Sequence, residues 1–115
     1  MGVTMPSDPA LAAPIFDALG DPNRLRIVVR LCDAGPCSTS TLAAAIPATR
    51  QAAAKHLRLL ESTGLVDSSR RGRERIWSVR TTTLYDAVHY LDQLSRQWDR
   101  RIDRLRTFVE TDETT

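Results

Sequence analysis

Residues 49–66 read TRQAAAKHLRLLESTGLV. Alanine is the strongest helix former and threonine a good N-cap, so the stretch predicts a helix that Thr49 caps, running to Ser62 or Thr63 and closed by Gly64. Ala53, Leu57 and Leu60 recur four and then three apart, which places them on one buried side. The opposite side collects Arg50, Gln51, Ala54, Lys55 and Arg58. This helix therefore has a thin buried stripe and a long polar face arranged around a bare methyl.

Upstream, a short helix fits about 39–46, capped by Ser38 or Ser40, with Leu42, Ala45 and Ile46 inward and Pro47 ending it. Two helices joined by the brief Pro47-Ala48 connection make a helix–turn–helix. Asp21-Pro22 reads as an N-cap followed by first-position proline, opening a helix to about Asp33 that buries Leu25, Ile27, Val28 and Leu31 and exposes Arg24, Arg26 and Arg30. Gly35-Pro36 breaks it. A first helix over about 9–19 carries Leu11, Ile15, Phe16 and Leu19 on one side and stops at Gly20.

Downstream the period changes. LVDSS and ERIWSV are short β-prone runs flanking RRGR, which reads as a hairpin with Gly72 at its tip. Thr81–Thr83 then cap a long helix to about Glu110, apolar at Leu84, Val88, Leu91, Leu94, Trp98, Ile102, Leu105 and Phe108. The expected fold is mainly α with a small β-hairpin wing, in the order α-α-α-α-β-β-α. One domain spans 9–110, between loose ends at 1–8 and 111–115.

The chain has 115 residues, 42% hydrophobic and 26% charged, the profile of one soluble globular domain. It holds no apolar run long enough for a membrane span and no signal-peptide pattern at MGVTMPSDPALAAP. A cytoplasmic location is expected, with Cys32 and Cys37 as reduced thiols. The net charge of +2 conceals an uneven distribution: residues 50–80 carry seven Arg and one Lys against three carboxylates, a local +5, while both flanks are negative. A concentrated basic segment fits a polyanionic partner.

The polar face around Ala54 suits a DNA major groove. Arg pairs with guanine O6 and N7, Gln with adenine N6 and N7, and a methyl touches thymine, so Arg50, Gln51 and Ala54 are the candidate readers. Thr49 stands at the helix N-terminus, where phosphate is favoured. Lys55 and Arg58, with the wing residues Arg70, Arg71, Arg73 and Arg75, fit phosphates or the adjacent minor groove, and His56 beside them fits either a phosphate or packing against the preceding helix. Ser38, Thr39 and Ser40, at the start of the preceding helix, complete the candidate contact set.

LGDPNRLRIVVRL, TSTLA, TRQAAAKHLRLLESTGLV and RRGRERIWSV together resemble the ArsR-type winged helix–turn–helix repressors over about residues 11–110. The resemblance implies a homodimer built from the first and last helices, binding a palindromic operator at the bacterial nucleoid. The last helix points to the dimer independently, since ~27 residues span ~40 Å and leave one apolar side without a partner. Leu11, Ile15, Leu91, Leu94, Trp98, Ile102, Leu105 and Phe108 are the candidate interface. Similar family sequences often carry a small polar residue at Ala54 and a branched aliphatic at Ala53, which implies a thinner core behind this helix.

Many members of that family sense metals. Their thiolate site places two cysteines one residue apart, where this chain has Ser38 and Ser40, and Cys37 stands one residue early. Their last-helix site pairs Asp-x-His with a later His-x-x-Glu, whereas Asp86 and His89 stand three apart with no second histidine after them. No metal or cofactor is expected, although Cys32 and Cys37 leave a thiol or zinc switch open. Catalytic motifs are missing: there is no Gly-rich phosphate loop and no nucleophile elbow. The sequence therefore predicts a dimeric, non-enzymatic repressor of unknown inducer. The alternatives are a metal- or thiol-responsive version of it, or a winged-helix module that binds a protein partner.

Overall fold

A computed structural model describes residues 8–113. Of the loose ends expected at 1–8 and 111–115, residues 1–7 and 114–115 lie outside the described residues, whereas Asp8 caps the first helix and 111–113 continue the last one. Helix α1 spans Pro9–Leu19, α2 Pro22–Ala34, α3 Thr39–Ala44 and α4 Arg50–Ser62. Strand β1 is Cys37–Ser38, β2 is Val66–Arg71 and β3 is Glu74–Val79, and α5 runs Thr81–Glu113.

Caps set most of the helix starts. Asp8 receives the Ala10 N–H, and Asp21 receives the Asn23 and Arg24 N–H groups, both at 3.0 Å. Ser38 caps α3 and Thr49 caps α4, each accepting an N–H at 3.1 Å. α5 lacks such a cap, and Thr81–Thr83 form its first turn rather than a cap. There the Arg80 carbonyl accepts from the Thr83 and Leu84 N–H groups. The helix also continues through Glu113, three residues past its expected end.

Leu42, Leu57, Leu60, Leu65 and Val66 are fully buried with Ile27. Ala53 closes onto them without a trace of exposure, as its place in the stripe requires. Two expected inward residues turn outward: Leu25 and Ala45 are exposed, while Ala12 and Ala18 are the buried residues of α1. Ile15 and Leu19 pack against the same core from α1. Arg24, expected on the exposed face of α2, turns back along α1. Its Nε donates to the Ala18 carbonyl at 2.8 Å and Nη2 to the Asp17 carbonyl at 3.3 Å, serving carbonyls that the end of a helix leaves without partners.

The wing is a three-stranded antiparallel sheet in the order β1-β3-β2, not the two-stranded hairpin expected. β1 is two residues long, too short to show a period, and it pairs Cys37 with Trp77 and Ser38 with Ile76. β2 and β3 pair from Val66↔Val79 to Arg71↔Glu74, leaving Gly72 and Arg73 as a two-residue turn. Gly72 takes φ +64° there, as the first position of such hairpin turns demands. Trp77 is only 2% exposed, and its indole N–H donates to Thr39 Oγ1 at 2.8 Å. That bond ties the wing to the start of α3.

Beyond its first turns, α5 leaves the body of the protein. Leu84 packs on the core, Ala87 is buried, and Tyr90 meets the Phe16 ring with centroids 5.7 Å apart. From Leu91 to Thr111 every side chain is exposed except the half-buried Ile102. The molecule is consequently 74 Å long and 33 × 25 Å across. No helix among the described residues is long and apolar enough to cross a membrane.

Thr39→Val leaves the buried Trp77 N–H without an acceptor and should destabilise the fold by about 1–3 kcal/mol. Thr39→Ser keeps the acceptor and should recover most of that loss. Urea unfolding with an unchanged m-value is the measurement.

Candidate nucleic-acid interface

The described surface of α4 divides into two rows. Arg50, Ala54, Arg58 and Glu61 succeed one another at helical spacing and face the wing, whereas Gln51 and Lys55 are exposed on the adjoining side. Between α4 and the wing lies a groove of about 510 Å³, lined by Thr39, Arg50, Ala54, Arg58, Glu61, Arg70, Arg73, Arg75 and Trp77. Ala54 forms its floor on the helix side. The bare methyl is what leaves room for the groove.

Strand register decides which wing residues enter it. Side chains paired across strands share a face, so Ser68 with Trp77 and Arg70 with Arg75 look into the groove. Arg71 pairs with Glu74 on the opposite face and stands apart from the other three wing arginines. Arg73 reaches the groove from the turn. Like charges placed directly opposite one another destabilise a sheet, and Arg70 opposite Arg75 is such a pair. Among the described residues, none of the groove arginines Arg50, Arg58, Arg70, Arg73 and Arg75 has an ion-pair partner.

Most of the remaining candidates are committed to the protein itself. Thr49 and Ser38 cap their helices, and Ser38 Oγ also lies 3.0 Å from Thr41 Oγ1. Thr39 accepts from Trp77, while Ser40 is exposed. His56 is half-buried and turned toward Asp21, with Nδ1 4.0 Å from the carboxylate that caps α2. Hydrogen bonds from the backbone, Arg24's first, hold Asp21 below the usual carboxylate range. Arg75 Nη1 donates to Ser68 Oγ at 2.8 Å, and Ser68 Oγ donates to Glu61 Oε2 at 2.6 Å.

Arg80 contributes to the basic segment but not to the groove. Its guanidinium grips the Asp67 carboxylate through Nε, at 3.1 and 3.2 Å, and through Nη2. The Arg80 side-chain bond lowers the Asp67 pKa, and the same pairing raises that of Arg80. This ion pair clamps the start of β2 to the start of α5.

Glu61 and Trp77 are groove residues that helix and strand patterns do not single out. Glu61 continues the Arg50–Ala54–Arg58 row by one turn, and Trp77 shares the parity of Arg75, so both follow once the two faces are separated. Of the two thiols, Cys32 on α2 is exposed and Cys37 is buried, with its Sγ donating to the Gly35 carbonyl at 3.2 Å. No group of three or more His, Cys, Asp and Glu side chains converges among the described residues.

On α5, Leu91, Leu94, Trp98, Leu105 and Phe108 are exposed, as is Leu11 on α1. Ile15 and Ile102 are half-buried. Tyr85, Val88 and Val109 extend the same exposed apolar surface toward both ends of the helix.

A helix–turn–helix domain profile matches residues 19–69. The chain is 38% identical over 77 residues to the HTH-type transcriptional regulator CmtR of Mycobacterium tuberculosis, covering 67% of this chain and 64% of CmtR. It is 34% identical over 89 residues to the regulator NmtR of the same organism, covering 74% of this chain and 73% of NmtR. The solved structure of an ArsR-like transcriptional regulator from Rhodococcus sp. RHA1 superposes with a TM-score of 0.75 at 36% identity, covering 84% of this chain and 91% of that one.

Proposed function

We propose, for a chain that belongs to the ArsR-type winged helix–turn–helix transcriptional regulators, that it binds duplex DNA as a dimeric repressor, its recognition helix α4 in the major groove and its wing on the flanking backbone. The observation that carries this reading is the groove between α4 and the wing, where five arginines without ion-pair partners converge. A polyanion supplies the counter-charge that the fold withholds from them.

The roles follow from position. Gln51 is exposed on the side of α4 that looks away from the wing and is free to pair with a base edge. Arg50, in the first turn, reaches base edges from the groove side. Arg58, Arg70 and Arg73 surround the groove and take phosphates, adding affinity without sequence information. Lys55 is exposed beside them and adds to the same positive field.

The exposed apolar surface of α5 supports a second copy of the chain as its cover. Large contiguous apolar patches mark interfaces, and this one repeats by threes and fours from Leu91 to Phe108 along a helix of about 50 Å. A two-fold dimer would set its recognition helices on half-sites about 34 Å apart, so its operator in the bacterial cytoplasm would be palindromic.

Operator selection from a random duplex pool, followed by binding titrations at several salt concentrations, tests the assignment. Six to ten phosphate contacts should weaken binding by about 10³–10⁵ between 50 and 200 mM salt, and a flat response would point to a protein partner instead. Gln51→Ala should cost about 1–3 kcal/mol at one base pair of the site. Arg73→Ala should weaken all sequences alike and reduce the salt slope by about 1.

For the dimer, Trp98→Glu places a charge in the middle of the apolar stripe. Sedimentation should show the wild-type chain as a dimer and this variant as a monomer. A wild-type chain that sediments as a monomer at every concentration would sink the interface.

A further inference from the structure

The last turn of α4 holds a carboxylate, Glu61, where the helix dipole favours a cation. It also lies in the groove whose other charged side chains are all arginines. Nucleic acid brings negative charge to this place, so an acidic side chain opposes both its own helix and the expected ligand. Its bonding is specific nonetheless. Ser68 Oγ donates to Glu61 Oε2 at 2.6 Å, within the range of charge-assisted bonds to a carboxylate, and Arg75 Nη1 donates to the same Ser68 oxygen at 2.8 Å. The neighbouring Arg58, one turn earlier on α4, makes no such link.

We infer that Glu61 is an internal counter-anion that engages Arg75 through Ser68 and withholds it from DNA phosphates, so that it sets how tightly the wing holds the backbone. Arg75 faces Arg70 directly across the strands, and Glu61 is the acidic side chain in the groove lining that offsets their repulsion. The relay Glu61–Ser68–Arg75 thus holds one groove arginine in the free protein. DNA must compete with it for one of the five groove arginines. The remaining four stay available, which divides the arginines into a free set and a reserved one. This inference rests on the DNA-binding reading above.

A double-mutant cycle on a fluorescent random-sequence duplex tests it. Glu61→Gln keeps an oxygen to accept from Ser68 but removes the charge. It should tighten binding several-fold and steepen the salt slope by about 1, the signature of one added phosphate contact. Arg75→Ala alone should weaken binding less than Arg73→Ala does, because Arg75 is already engaged. In the Arg75→Ala background, Glu61→Gln should lose most of its effect, which is the coupling expected of one network.

An equal gain from Glu61→Gln with or without Arg75 would show only a general field effect and overturn the inference. Weaker binding with an unchanged slope would mean that Glu61 merely props the wing, and would overturn it as well. If the wild-type chain bound no duplex at all, the DNA-binding reading itself would fall. Wild-type binding with an unresponsive Glu61→Gln variant removes the role of Glu61 alone.

Discussion

The burial of Trp77 sets the geometry of the wing. A hairpin side chain has only two faces to choose from, and a slip of one residue would exchange them for the whole strand. Trp77 is the largest side chain in the wing, 2% exposed, with Thr39 at one end and the core at the other. Once it faces inward, parity sends Arg75 to the same side, and the pairing brings Ser68 and Arg70 with it. Arg71 and Glu74 must then face the other way. The composition of the basic groove is therefore a consequence of hydrophobic burial at one position. Charge alone would scatter these arginines, because no pair of them gains by standing together.

Counting arginines says little about the interface until they are divided by what they already hold. Arg24 is spent on the last carbonyls of α1, Arg80 on Asp67 and Arg96 on Asp92 one turn away. Arg26 donates to the Asn23 side chain at 2.7 Å. Each of these bonds is short-range and internal. Arg50, Arg58, Arg70 and Arg73 lack them, and they line one groove together. An exposed ion pair contributes little to stability, so leaving these four without carboxylates sacrifices little. What they retain is the positive potential that a phosphate backbone would neutralise.

Most of the helical skeleton was legible because its signals are local. Asp21-Pro22, Thr49 and Gly64 mark ends by the conformations they permit, and the 53-57-60 stripe marks a buried side. What escaped the sequence depends on pairing. A two-residue strand such as β1 has no period of its own and exists only because Cys37 and Ser38 lie beside Trp77 and Ile76. The separation of Arg71 from Arg70 is likewise invisible in the string RRGR, since the register is set elsewhere. At the interface, residue types identified the polar candidates but not their obligations. Thr39 and Thr49 look equally available until the structure shows one holding an indole and the other a backbone N–H. His56 is diverted the same way, toward the cap of α2.

The two alanines at the centre of α4 show how close packing and open access meet on a single turn. Ala53 is fully buried, and a larger residue there would push α4 away from Leu57's neighbours; its small size draws the helix into the core. Ala54, one residue on, stands half-buried at the floor of the groove, where a longer side chain would fill the space between helix and wing. Side chains one position apart on a helix point about 100° from each other, so a single alanine could not serve both needs. The run of three is thus two separate constraints that happen to adjoin. One sets how deep the helix sits, and the other how near its axis a ligand comes. An exposed polar face is ordinary for a surface helix. A face whose centre has been hollowed out, while its rim is arginine and its base is sealed by an alanine in the core, is shaped to be entered.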